Sequence, residues 1–325
     1  MKLLALFTAL LLTGTIAQAR IIIDDYGRSV QLPDKVTKIY AASPPLTMSL
    51  LAFDPSLVAA LNTPFKEEQK PFVGAAASKP VAGGYFGQGQ TPNFENLAAI
   101  RPDVILMWGK ATGAESQLKK ITMLGIPVLM IHNESINDLI TQFQLYGKLT
   151  GNMKRAQDLI IYTRETLGLI QSLQGQLDQR KNVRYYFAES LDGLSSECTG
   201  SFHLEPFTYS GAKNALNCTM SSNYGMEKIS LETILLADPD VIIAMEDAFA
   251  ASVRSNPQWQ SLRAVKTGHI LSVPSLPFNY ITRPPSFMRL MGIRWLIHSF
   301  YPDLLPGSLE KETQRFTKLF FGKQS

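Results

Sequence analysis

The sequence predicts an α/β protein of two lobes, each with a central, mostly parallel sheet and flanking helices, joined by one long α-helix. Three observations carry this. First, over residues 152–180 apolar or small side chains recur at Met153, Ala156, Ile160, Thr163, Leu167, Ile170, Leu173 and Leu177. Those steps of three and four keep one helical face apolar, while Lys154, Arg155, Asp158, Glu165 and Gln171 mostly take other faces. Second, one phrase stands on both sides of that helix. It reads Glu95-Asn-Leu-Ala-Ala-Ile-Arg-Pro102-Asp103-Val-Ile before it and Glu232-Thr-Ile-Leu-Leu-Ala-Asp-Pro239-Asp240-Val-Ile after it. In each, a glutamate opens a short amphipathic helix, Pro-Asp breaks it, and an apolar run reads as a buried parallel strand. Two copies with the same Glu-to-Asp spacing imply two similar lobes on a helical strut. Third, 325 residues suit two domains, and 45% hydrophobic with 18% charged residues is enough apolar material for a core in each.

Residues 1–19 read as a secretory signal: Lys2, an apolar run over residues 3–12, and Ala17-Gln18-Ala19 as a small-x-small cleavage site. The run is short of the ~20 apolar residues a membrane span needs. No cysteine follows the cleavage site, so a soluble, exported, periplasmic chain starting at Arg20 is expected, without a lipid anchor. The net charge of +4, or +3 once Lys2 leaves, is dispersed, with no basic stripe interleaved with aromatics, which argues against nucleic acid.

Residues 21–33 predict a hairpin turning at Asp25-Tyr26-Gly27-Arg28, and residues 38–42 the first core strand. Ser43-Pro44-Pro45 opens a helix to about Ala52, and residues 57–61 read as a strand. After a Gly-rich loop comes the first copy of the repeat, ending at Trp108-Gly109, then a helix over 115–124, a strand over 127–131 and a lead into the strut over 135–149. The first lobe is therefore residues 20–150, the linking helix 151–181 and the second lobe 182–325. In the second lobe, residues 183–188 predict a strand and 189–207 a long polar loop. The second copy of the repeat follows, then a helix near 259–265, a strand at 269–273, a closing helix at 287–300 and a short helix at 313–321. Cys198 and Cys218 are the only cysteines. In an oxidising compartment they are expected to bridge. The alternative is a thiolate metal ligand helped by His203 and Glu197 or Glu205.

In this order, Ser43-Pro44, the two Glu-x6-Pro-Asp-Val-Ile phrases, the long helix, Gly211-Ala-Lys-Asn214, Phe278-Asn-Tyr280-Ile-Thr-Arg283-Pro-Pro285-Ser286 and Gly292-Ile-Arg-Trp295-Leu have a familiar arrangement. The chain resembles a class III (helical-backbone) periplasmic solute-binding protein of an ABC importer, the group that binds cobalamin, ferric siderophores and haem. The resemblance covers residues 20–310 and departs from it at Gly-Ala-Lys-Asn, where the family usually has a second glycine. It implies a monomer holding a bulky ligand between two lobes, with closure limited by the strut. It also implies docking on a permease dimer through one glutamate per lobe, here Glu95 and Glu232. The plainer reading, compatible with docking, is that each merely caps its helix N-terminus.

The cleft of such a fold is lined by loops at the strand ends. The candidates in the first lobe are Ser43, Tyr85 and Phe86 on the Gly-rich loop, with both rings expected to be exposed, and Trp108 as either core or platform. In the second lobe they are His203, which could complete the coordination of a chelated metal or make a loop hydrogen bond, and Tyr280 and Arg283, which match the family's cleft-facing loop. Arg283 offers a planar fork to an oxyanion or a structural bond to carbonyls. Four dispersed histidines are too few for capture of a bare ion, so a pre-assembled chelate is expected as cargo, with no resident cofactor. Ferric siderophore, haem, a corrinoid, a small nickel complex and an oxyanion such as molybdate all remain open. No Gly-x-Ser-x-Gly, His-Glu-x-x-His or P-loop is present, which sets an exported hydrolytic enzyme well behind a binder.

Overall fold

The computed structural model describes residues 20–85, 90–111, 113–222, 224–305 and 307–322. The predicted export signal and Phe86 lie outside the described residues. Strands β1 (Arg20–Ile23) and β2 (Ser29–Leu32) form the expected antiparallel hairpin. Its turn is tied by Asp24, whose carboxylate accepts from the amides of Tyr26, Arg28 and Met130 at 3.0, 2.9 and 3.0 Å. The hairpin is thereby stitched to the first sheet.

That sheet is built from β3 (Ile39–Ala41), β4 (Val104–Trp108) and β5 (Val128–Ile131), all parallel in the order β3-β4-β5. Its apolar runs are buried on both faces, as a parallel sheet between helices requires. The helices of this part are α1 (Pro44–Phe53), α2 (Phe94–Ile100), α3 (Ala114–Thr122) and α4 (Asp138–Thr150). The strand expected at 57–61 is reduced to two isolated bridges, Val58 beside Ile39 and Leu61 beside Val81. A 3-10 turn takes Pro55–Leu57, and Leu61 bonds to Pro80 instead, drawing the chain off the sheet edge.

The strut α5 (Met153–Gln179) runs 27 residues, roughly 40 Å at the usual rise. Asn152 caps it by accepting from the Arg155 amide at 3.1 Å. Ala156, Leu159, Ile160, Tyr162, Thr163, Thr166, Ile170, Leu173 and Leu177 are buried, so the predicted face is the packed one, apart from an exposed Met153 and a half-buried Leu167. Arg155 anchors the strut further, donating to the carbonyls of Ala52 and Phe53 at the end of α1.

The second sheet comprises β6 (Arg184–Ala188), β8 (Lys213–Asn214), β10 (Val241–Ala244) and β11 (Ile270–Ser272), all parallel in the order β11-β10-β6-β8. The stretch expected as a polar loop at 189–207 is instead folded and largely inside. β7 (Ser195–Ser196) pairs with β9 (Glu227–Lys228), α6 (Glu205–Tyr209) follows, and Ser195, Ser196 and Glu197 are fully buried. Cys198 and Cys218 are joined in a disulfide, which takes both thiols and removes them as metal ligands. Further helices are α7 (Leu231–Ala237), α8 (Asp247–Val253), α9 (Arg263–Lys266), α10 (Arg289–Phe300) and α11 (Leu309–Phe321).

The repeat is visible in space. α2 and α7 each run seven residues, are capped by the side chains of Asn93 and Ser230, and end in left-handed residues, Arg101 (φ 49°) and Asp238 (φ 37°). β4 and β10, which follow them, each lie between two parallel neighbours. α11 departs from chain order: it leaves the second lobe and packs Phe316 and Phe320 on Tyr162 of the strut, Phe320 on Phe143 of α4, and Phe321 on Phe72. Among the described residues no helix is long and apolar enough to cross a membrane.

Candidate functional site

Parallel strands deliver their following loops to one edge, where a ligand can be met by several elements at once. Here the edges of the two sheets face a shared cleft of about 580 Å³. One wall is Pro44, Thr47 and Met48 of α1 with the segment 61–69; the other is residues 245–248 after β10 together with Ser275, Phe278, Asn279, Arg283 and Pro284. Phe65 and Phe278 meet edge to face at 5.9 Å, one ring from each wall. Such a volume suits a small organic ligand or chelate.

Much of the polar capacity of the first wall is turned inward. The Thr47 hydroxyl donates to Asn62 Oδ1 at 2.6 Å, and the Asn62 amide donates to the carbonyls of Ala41 and Gly83, both at 2.9 Å. Ser43 directly precedes this wall; it is buried, and its hydroxyl has no hydrogen bond among the described residues.

Among the described residues Arg283 is the one predicted ligand residue that lines the cleft, but it is not an open fork. Its Nε donates to Glu189 at 2.9 Å, its Nη2 to Glu197 at 2.6 Å and its Nη1 to the Tyr224 carbonyl at 2.9 Å. Both carboxyl groups are fully buried, and φ of +63° holds Arg283 in the left-handed region. Glu197 also accepts from the Ser201 hydroxyl at 2.6 Å and the Met226 amide at 3.1 Å. Gly225 is needed beside it: φ is +66°, and a Cβ there would lie 1.9 Å from Glu197 Oε1. Burial pushes the Glu189 carboxyl up to about 8, with Arg283 pulling it down and Glu197 pushing it further up. Burial thus favours the protonated form of Glu189 over its carboxylate.

The other candidates are placed elsewhere. Tyr85, expected to be exposed, is 6% exposed: its amide donates to Ala42 and its ring packs in the core of the first lobe. Tyr280, expected in the cleft, is 7% exposed within the main core, and α10 runs so close that a Cβ on Gly292 would lie 2.1 Å from the Tyr280 carbonyl. His203 is buried, with Nδ1 2.6 Å from Thr282 Oγ1 and its ring on Phe202, so it makes the hydrogen bond that is one of its two expected roles. Among the described residues no three His, Cys, Asp or Glu side chains converge to hold a metal ion.

Trp108 belongs to a seam between the lobes. Its indole N–H donates to Glu134 at 3.1 Å and its ring meets the edge of Phe202 at 5.7 Å. Beside it, the Glu205 carboxylate accepts from the Ser135 hydroxyl and the Ile136 amide, both at 2.9 Å, and from Arg289 at 2.7 Å. Arg289 is deeply buried, which pulls its pKa down, while Glu205 pulls it back up. Asn137 donates to the Tyr209 hydroxyl at 3.1 Å in the same seam.

Glu95 and Glu232 occupy matching positions in the first turns of α2 and α7, and both are exposed. The capping bonds come from their neighbours: Asn93 accepts from the Asn96 amide at 2.9 Å and Ser230 from the Thr233 amide at 3.1 Å. The two carboxylates are thus left facing outward.

Sequence reasoning missed the segment 61–69 and residues 245–248 as cleft walls. The repeat contained the signal for the second of these. Met245 follows β10 as Trp108 ends β4, so superposing the two phrases would have sent Glu246 and Asp247 to the same edge.

The profile of the family described as "Periplasmic binding protein" matches residues 47–276. A vitamin B12-binding protein of Vibrio cholerae is 22% identical over 195 residues, 60% of this chain and 67% of the relative. An ABC transporter solute binding protein from Sulfurospirillum deleyianum superposes with a TM-score of 0.85 at 29% identity, covering 94% of this chain and 96% of that one. The molybdate periplasmic binding protein MolA of Haemophilus influenzae, solved with molybdate, gives a TM-score of 0.74 at 19% identity over 94% and 99% of the two chains, a likeness of fold.

Proposed function

Because the chain belongs to the periplasmic binding protein family, we propose that it captures a metal chelate, such as a ferric siderophore, haem or corrinoid, and delivers it to an inner-membrane ABC permease. The single observation carrying this is the cleft of about 580 Å³ with a wall from each lobe, large enough for a complex that brings its own metal ligands. The family and the curated relatives are binding proteins, and this chain is a binding protein rather than an enzyme. The complex is cargo, so no resident cofactor enters the mechanism. Residues 20–150 and 182–325 act as the two lobes on the strut 151–181, working as a monomer in the periplasm after removal of residues 1–19. The outward-facing Glu95 and Glu232, one per lobe, meet the two halves of a permease dimer.

The test is to purify residues 20–325, assay co-purified metal and colour, and titrate chelates of each class by calorimetry. Saturable binding without turnover is expected. Conversion of any of them to product would overturn the reading.

A further inference from the structure

The charge of the cleft narrows what it can hold. The chain carries +4 overall, yet the cleft is lined by three carboxylates, Glu68 on one wall and Glu246 and Asp247 on the other, against Lys66 and Arg283. Arg283 already faces Glu189 and Glu197. Among the described residues none of the three lining carboxylates has an ion-pair partner, so their charge is directed to whatever enters.

The backbone points the same way. A helix N-terminus is the usual protein device for an anion, because its first amide N–H groups are unsatisfied. α1 reaches the cleft at its N-terminus, but its first two residues are Pro44 and Pro45, which carry no N–H, and the Thr47 amide is bonded to the Ser43 carbonyl. On the opposite wall α8 starts at Asp247 with Glu246 before it, and the Glu246 side chain makes no cap bond there, so both residues place negative charge beside the first turn. The apolar part of the lining, Met48, Leu61 and Phe65 facing Met245 and Phe278, is set among the polar side chains of Thr63, Gln69, Ser275 and Asn279.

We propose that the cargo is a metal chelate with an apolar flank and no net negative charge, and that the cleft rejects free oxyanions and anionic chelates. An anion there meets three unpaired carboxylates of like sign against Lys66 and an Arg283 already paired with Glu189 and Glu197, the arrangement by which a site discriminates through repulsion. The proposal rests on the reading of the cleft as the cargo site.

The experiment is calorimetric titration of residues 20–325 with two uncharged probes, cyanocobalamin and nickel bis-histidine, and two anionic ones, ferric citrate and molybdate. An uncharged probe is expected to bind at least about tenfold more tightly than either anion. The double variant Glu246→Gln/Asp247→Asn should shift the ratio of anion to uncharged-probe affinity toward the anion by about tenfold, with the shift shrinking at high salt. Glu68→Gln repeats the test from the other wall. Tighter binding of either anion to the unaltered protein overturns the charge proposal while leaving a binding protein in place. An unmoved ratio in both variants also overturns it. Failure of every probe to bind any form would remove the cargo-site reading and this proposal with it.

Discussion

Asp103 and Lys38 hold each other twice: the Asp103 amide donates to the Lys38 carbonyl at 2.8 Å, and the Lys38 amide donates back to the Asp103 carboxylate at 2.8 Å. Asp240 and Arg184 repeat the pair in the second lobe, at 2.8 and 3.0 Å. The aspartate of each Pro-Asp phrase is therefore a register pin between the first strand of its sheet and the central one. Asp103→Ala and Asp240→Ala are each expected to lower stability by about 1–2 kcal/mol, read from urea denaturation midpoints. No change in either would mean that the Val/Ile runs alone set the register.

The proton on Glu189 makes stability depend on pH. Its folded pKa is raised from 4.5 to about 8, so between those values the folded state binds a proton that the unfolded state does not. The contribution is complete below about pH 4.5, falls as pH rises, and is gone above about 8, with a limiting slope of about 1.4 kcal/mol per pH unit. Glu189→Gln keeps the shape and removes the titration, so its stability profile from pH 5 to 8 should be flatter than that of the parent. Parallel profiles would show that Glu189 is ionised throughout.

The seam between the lobes offers a mechanical test. Glu205→Ala strands the buried Arg289 guanidinium and removes the acceptor of Ser135 and Ile136. A loss of about 3–5 kcal/mol is expected. Small-angle scattering should show a larger radius of gyration as the lobes separate at Trp108 and Phe202. Lost stability with unchanged dimensions would make Glu205 a local cap rather than a tie between lobes.

Replacing Glu95 and Glu232 together by Ala should leave chelate affinity unaltered and abolish uptake into cells carrying the permease. Both side chains are exposed and neither makes the cap bond of its helix, so folding should be affected by less than about 1 kcal/mol. Weakened chelate binding would count against docking.

The strut and the two repeat units were legible because their signals are local. A 3.6-residue period marks α5 within a residue at each end, and Pro-Asp followed by an apolar run marks β4 and β10. The site was far less legible, because its parts are brought together from distant stretches. Glu189 and Glu197 sit in a polar stretch that hydropathy reads as surface, and their burial depends on Arg283, 94 and 86 residues away. Tyr85 and Tyr280 lie among glycines, prolines and polar residues that suggest exposure. In the fold Tyr85 lies against the first sheet, and α10 passes close enough to enclose the segment around Tyr280.

The return of α11 joins stretches far apart in the chain. The rings of Phe316 and Phe320 complete apolar surface on Tyr162 and Phe143, more than a hundred residues earlier. A chain made from its N-terminus thus presents that surface uncovered until residues 309–321 have emerged. Native contacts of such long sequence separation form slowly. Stopping synthesis before residue 309 would leave a bare aromatic patch for chaperones or for neighbouring chains to occupy.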